Sequence, residues 1–262
     1  MTKKLWLILG ALLFIGLIVA AAIWWRVDNP KDEPAAGTSQ QSGQSDRSTP
    51  QFNKQLYSID NASSLWAIVN KGRALPSSYV PIQLVTPNVA LRLKAGSQAM
   101  YLRAEAATAL GQLAAAASAE NIKLMLASGY RSYNLQIAIY DSEVNAYGRA
   151  QADRESARPG HSEHQTGLAT DMEPASRKCE VQQCFADTLE GKWLAANAYR
   201  FGFIIRYPKD GENLTGYKYE PWHLRYVGID LATELQKTSQ TLEQFFDLPA
   251  HTSYPEKIFQ LQ

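Results

Sequence analysis

The chain has 262 residues, 45% of them hydrophobic, and 26 Lys and Arg set against 25 Asp and Glu give a formal net charge of +1. That balance, with no basic cluster after Lys3 and Lys4, argues against a nucleic-acid partner. The length suits one domain of ordinary size with additional segments, and the apolar fraction is enough for a core.

Residues 5–25 form an uncharged, almost wholly apolar run behind Lys3 and Lys4. About 20 such residues span a bilayer as a helix. The two lysines would stay in the cytoplasm and send the rest outward, and Trp24 and Trp25 suit the outer interface. Ala20-Ala21-Ala22 resembles a signal-peptide cleavage site. The run exceeds the usual signal core of about 7–15 residues, which favours an uncleaved transmembrane anchor over residues 1–26. Either reading exports the remainder. Residues 27–55 change character: the stretch 37–50 holds almost no apolar side chain and reads as a flexible tether.

A folded domain is expected over residues 56–249, with a C-terminal tail over 250–262. Leu102, Ala106, Leu110 and Leu113 recur at helical spacing in an Ala-rich stretch. Residues 122–127 suit a short buried strand. Residues 132–147 suit a second helix, with Leu135, Ile139 and Tyr140 on one side. A helix over 193–199, strands over 202–207 and 222–227, and a closing helix over 230–246 complete the pattern. Helices surround short strands without a βαβ rhythm. That predicts an α+β fold, a small antiparallel sheet flanked by helices. Cys179 and Cys184 would close a small disulfide loop outside the cytoplasm or remain free thiols. With no second pair nearby, metal binding by them is disfavoured.

Three of the 4 histidines fall in two clusters, Gly160-His161-Ser162-Glu163-His164 running on to Asp171, and Glu220-Pro221-Trp222-His223. Catalytic zinc takes three protein ligands and leaves one position for water. His164, Asp171 and His223 would supply two imidazoles and a carboxylate. Glu220, beside the last ligand, is placed to move a water proton. His161 could line such a site or support a ligand, and His251 reads as a surface or satisfied residue. His-x6-Asp is not specific by itself, so spacing leaves a metal site and structural histidines equally open.

Longer motifs narrow this. The chain carries Ser162-Glu-His164-Gln-Thr-Gly167-Leu-Ala169-Thr-Asp171, then Glu220-Pro-Trp-His223-Leu-Arg225-Tyr226, and earlier Ser128-Gly129-Tyr130-Arg131-Ser132. These resemble, in order and at every fixed position, the signatures of the VanY-like zinc D-alanyl-D-alanine carboxypeptidases and their L,D-carboxypeptidase relatives. The resemblance covers nearly all of residues 65–230. It implies zinc held by His164, Asp171 and His223, Glu220 as catalytic base, and Arg131 near the scissile carbonyl or the substrate carboxylate. Ser162 and Gln136 are further candidates for substrate contact, against turn-capping and solvated-helix alternatives. It also implies peptidoglycan stem peptides as substrate, cut at the D-Ala–D-Ala bond, by an enzyme tethered outside the bacterial cell membrane. The alternatives are an L,D-carboxypeptidase acting on tetrapeptide stems and a non-catalytic wall-binding module.

Overall fold

The structure, a computed structural model, describes residues 52–262. The expected anchor over residues 1–26, and the expected tether over 27–55 as far as residue 51, lie outside the described residues. Among the described residues no helix is long and apolar enough to cross a membrane.

In chain order the elements are β1 (Arg73–Ala74), β2 (Leu84–Val85), β3 (Ala90–Leu91), β4 (Leu102–Arg103), α1 (Ala104–Ala119), β5 (Leu124–Ser128), α2 (Tyr133–Tyr147) and α3 (Arg149–Glu155). They continue with β6 (Ala169–Pro174), α4 (Leu189–Asn197), β7 (Phe203–Ile205), α5 (Glu212–Thr215), β8 (His223–Tyr226), α6 (Ile229–Thr238), α7 (Leu242–Phe245) and β9 (Phe259–Gln260). The main sheet has the order β3-β5-β6-β8-β7.

The α+β reading holds, with one correction to the sheet. Strands β5, β6, β8 and β7 pair antiparallel, but edge strand β3 runs parallel to β5. A parallel pair needs a crossover of a dozen or more residues, usually helical, and the 16-residue α1 supplies it. Its alanines are strong helix formers and let the helix approach the sheet closely. Leu110 and Leu113 of α1 then meet Leu126, Met172 and Leu224 in a fully buried core on one face of the sheet.

The sequence pattern assigns no element to the central strand β6. All six of its residues are buried. Alternation along a strand sends Met172 into the core and Asp171 and Glu173 to the opposite face. The sequence-predicted closing helix over 230–246 is broken in two. Ser239 takes a left-handed conformation (φ 55), and Thr241 restarts the chain as α7 with a reciprocal Thr241–Gln244 capping box.

Both expected domain bounds move outward. Phe52 stacks on Trp66 with ring centroids 5.7 Å apart, so packing begins before residue 56. At the other end, β9 pairs with β1, Leu261 is buried, and Lys71 Nζ donates to the Thr252 carbonyl at 3.0 Å. Residues 250–262 are therefore part of the body. Cys179 and Cys184 are joined as a disulfide, their Cα atoms 5.6 Å apart.

Burying one leucine contributes about 1.5–3 kcal/mol, and the β1–β9 pairing adds to it. A chain truncated after Pro249 should melt at least about 5 °C lower than one ending at Gln262, given about 2–4 °C per kcal/mol for a body of this size. Equal melting temperatures would return the segment to the status of a tail.

Candidate active site

Strand register does most of the assembly. Asp171 in β6 and His223 in β8 are direct cross-strand partners, which sets their side chains side by side on the face away from the core. His164 arrives from a single 3-10 turn, Glu163–Thr166, closed by Gly167 in the left-handed region (φ 70). A side chain there would be strained and would also press within 3.1 Å of Arg103 and Leu84. The turn folds the chain straight into β6. The rings of His164 and His223 stand nearly perpendicular, centroids 5.0 Å apart.

One donor atom from each of His164, Asp171 and His223 lies within 4.8 Å of the others, and all three residues are buried. His164 Nδ1 faces the Gly129 carbonyl at 2.6 Å. A carbonyl only accepts, so the proton sits on Nδ1 and Nε2 presents its lone pair on the Asp171 side. Gly129 is required there because an added Cβ would run into the Tyr101 carbonyl. His223 uses the other nitrogen: its Nδ1 lies 3.1 Å from Asp171 Oδ1 and 3.6 Å from Glu220 Oε2.

The local field suits a cation. Burial pulls the His223 pKa down, yet the carboxylates of Asp171, Glu163 and Glu220 around the ring push it up to about 9. Burial and the Arg131 charge hold His164 at about 4, a neutral ring with a free lone pair. Burial raises the Glu220 carboxyl to about 7, against the pull of His223. Two imidazole nitrogens and a carboxylate oxygen are a zinc donor set. Tetrahedral zinc with bonds of about 2.0–2.2 Å needs donors somewhat over 3 Å apart, so small side-chain shifts bring these three into range. The residues fit the ion.

The ligand triad opens on a cleft of about 870 Å³, and the structure brings every candidate residue to it: Arg131, Gln136, Ser162 and Glu220 line the same wall space as the three donors. Arg131 is not free within it. Its Nη2 donates to Asp171 Oδ2 at 2.6 Å and its Nε to Ser128 Oγ at 3.0 Å. Gln136 Nε2 donates to the Ala157 carbonyl at 2.8 Å. His161 lies away from the cleft, its Nδ1 on the Asn70 carbonyl at 2.8 Å and its ring edge-on to Tyr254. His251 packs over Gly72. The disulfide loop adds Val181, Gln182 and Gln183 to the rim.

The sequence reading missed what lies behind the triad. Glu163 Oε1 accepts from Arg206 Nε at 2.8 Å and Arg225 Nη1 at 2.9 Å. Glu243 of α7 takes Arg206 through two further bonds of 3.0 and 2.6 Å, and accepts from Asn70 at 3.1 Å. All four charged side chains are essentially inaccessible. Removing one member of such a set leaves an uncompensated buried charge, at a cost of about 3–5 kcal/mol. The available signal was weak: Glu163 fills the variable position of the Ser-x-His motif, and Arg206 interrupts an apolar run.

Comparison with known proteins points one way. Residues 99–229, half of the chain, match the VanY family, described as D-alanyl-D-alanine carboxypeptidase. YodJ of Bacillus subtilis (strain 168), an inferred carboxypeptidase, is 47% identical over 192 residues, which are 73% of this chain and 70% of that protein. Among solved structures, the LdcB LD-carboxypeptidase, described with its peptidoglycan recognition, is 44% identical with a TM-score of 0.68, covering 76% of this chain and 89% of that one. The vancomycin-resistance D,D-pentapeptidase VanY of a VanB-type cassette, a mutant in complex with Zn(II), is 33% identical with a TM-score of 0.59, covering 71% of this chain and 99% of that one.

The buried charge set fixes an acid limit. Burial alone would raise the carboxyls of Glu163 and Glu243, but Arg206 and, for Glu163, Arg225 hold them below the ordinary value of 4.5. Depressed folded-state values stabilise the protein above the unfolded pKa, and that stability is lost as pH falls, because the unfolded chain then binds more protons. Melting temperature should stay level from pH 7 down to about 5.5 and decline below about 4.5, less steeply in Glu243→Gln. An identical acid slope in both proteins would remove the network as its source.

Proposed function

The chain belongs to the VanY family of D-alanyl-D-alanine carboxypeptidases, and on that footing we propose that it is a zinc-dependent enzyme releasing the C-terminal D-alanine from peptidoglycan stem peptides. The observation that carries this reading is the convergence of three buried donors, His164, Asp171 and His223, on a cleft that also holds the Glu220 carboxylate.

Zinc held by these residues would supply Lewis acidity toward a water and the scissile carbonyl. The remaining work falls to the chain. Glu220 is held beside His223 by a short turn in which the His223 amide donates to the Glu220 carbonyl. With a pKa of about 7, its carboxylate can accept a proton from the attacking water and return it to the leaving amine. Arg131 is the cation nearest the triad, and its guanidinium is suited to a terminal carboxylate or a developing oxyanion. Gln136 keeps its Oε1 without a protein partner, and Ser162 is buried at the same wall; both are assigned to substrate contact.

The bond has two readings. The sequence motifs suggested D-Ala–D-Ala. The higher identity to the LD-carboxypeptidase LdcB, 44% against 33% for VanY, favours the L,D bond of a tetrapeptide stem. The enzyme would act outside the cell, carried on the anchor over residues 1–26. The apolar run over residues 5–25 and the Cys179–Cys184 disulfide, a bond of oxidising compartments, support that location.

The test is hydrolysis of muropeptides read by mass spectrometry, with and without a zinc chelator. Chelator-sensitive release of one D-alanine is expected, from the tetrapeptide if the L,D reading holds and from the pentapeptide if the D,D reading holds. Glu220→Gln should keep stoichiometric zinc and lose about 10²–10⁴-fold in kcat. Full activity in that variant would remove Glu220 from the mechanism. Absence of both metal and turnover in the wild-type protein would favour a wall-binding module.

A further inference from the structure

Two buried polar atoms without hydrogen-bond partners face each other at 3.7 Å, Nε2 of His223 and Oε2 of Glu163. Neither is there by default. Glu163 gives its other oxygen, Oε1, to both Arg206 and Arg225, and this fixes the carboxylate plane and aims Oε2 at the ring. His223 turns its Nδ1 toward Asp171, which leaves Nε2 on the Glu163 side. A ring movement of a few tenths of an ångström brings the pair within the ordinary limit of about 3.2 Å.

We infer that Glu163 is a positioning residue whose Oε2 accepts the Nε2–H of His223 and thereby dictates which ring nitrogen is offered to the metal. The inference rests on the zinc reading above. A neutral imidazole carries one N–H, and an ionised carboxylate can only accept. The proton therefore belongs on Nε2, and the Nδ1 lone pair is turned to the position shared with Asp171. A carboxylate behind a ligating histidine also raises the basicity of that ligand. His164 is set the opposite way by the Gly129 carbonyl, which takes its Nδ1–H and frees Nε2. The two imidazoles thus reach the metal through different nitrogens, each selected by a separate acceptor behind the ring. The arginines have two tasks. They offset the buried negative charge, and they hold Glu163 by the oxygen that His223 does not use. Glu243, reaching Arg206 from α7, completes the charge compensation without touching the ring.

Glu163→Gln tests this sharply. The two arginines would claim the amide oxygen and leave the NH2 facing Nε2, donor against donor, which favours the wrong tautomer. Zinc affinity, measured by competition with a chromophoric chelator on folded protein, should fall about 10–100-fold in Glu163→Gln. Glu243→Gln disturbs the same charge set and should lower the melting temperature, while zinc affinity changes less than about threefold. An unchanged affinity in Glu163→Gln, or an equal loss in Glu243→Gln, overturns the assignment. Should Glu163→Gln fail to fold, the zinc-loaded wild-type protein decides: long-range ¹H–¹⁵N spectra should show His223 protonated at Nε2, and protonation at Nδ1 overturns it. Wild-type protein that binds no zinc sinks the zinc reading and this inference together. Zinc binding without the Glu163 effect sinks this inference alone.

Discussion

The register between β6 and β8 is the constraint on which the rest depends. Setting Asp171 opposite His223 puts a carboxylate and an imidazole side by side with no loop in between. A one-residue slip of β8 would turn His223 into the apolar core and bring Leu224 out beside Asp171. The core therefore protects the site: Met172 and Leu224 must be buried against α1, and their burial leaves Asp171 and His223 only one face to occupy. Packing energy on one side of the sheet enforces chemical geometry on the other.

That arrangement obliges the protein to bury charge. Asp171, Glu163 and Glu243 are buried, Glu220 is mostly so at the cleft wall, and Arg131, Arg206 and Arg225 are set among them. Charges in such a place are tolerated only when paired. The pairing is divided by depth. Arg131 stands at the cleft and bonds Asp171, whereas Arg206 and Arg225 stand behind the histidines and bond Glu163. One layer lines the cleft, and the other lies behind it and is joined to the triad only through Glu163.

Much of the site was legible because it is local in sequence. His164 and Asp171 belong to one motif and Glu220 and His223 to another, so their order survives without knowledge of the fold. The helices of α1 and α2 were legible from apolar periodicity. β6 was not, because two of its six residues are carboxylates and the strand follows a turn. Edge strand β3 was not either, since two residues give no period to read. The break after α6 depends on Ser239 adopting a left-handed conformation, which few serines do. Arg206, Arg225 and Glu243 resemble solvent-facing charges in any linear reading, because their partners are brought together only by the tertiary fold. The segment over 250–262 looked like a tail for a similar reason. Its composition is largely polar, and Ile258, Phe259 and Leu261 are too few to reveal that β9 pairs with β1.

The pairing of β1 with β9 carries a consequence for how the molecule comes to exist. Gln260 reaches back across 186 residues to bond the Ala74 carbonyl, while Asn70, just before β1, bonds both Glu243 of the charge set and the Arg73 backbone. Contacts that span most of a chain require a large loop to close before they give anything in return, and they slow folding. On the ribosome, a chain emerging from its N-terminus would have the catalytic motifs in hand well before the strand that seals β1. The pairing joins the first and last strands of the described fold, so β1 stays unsealed until β9 has been made.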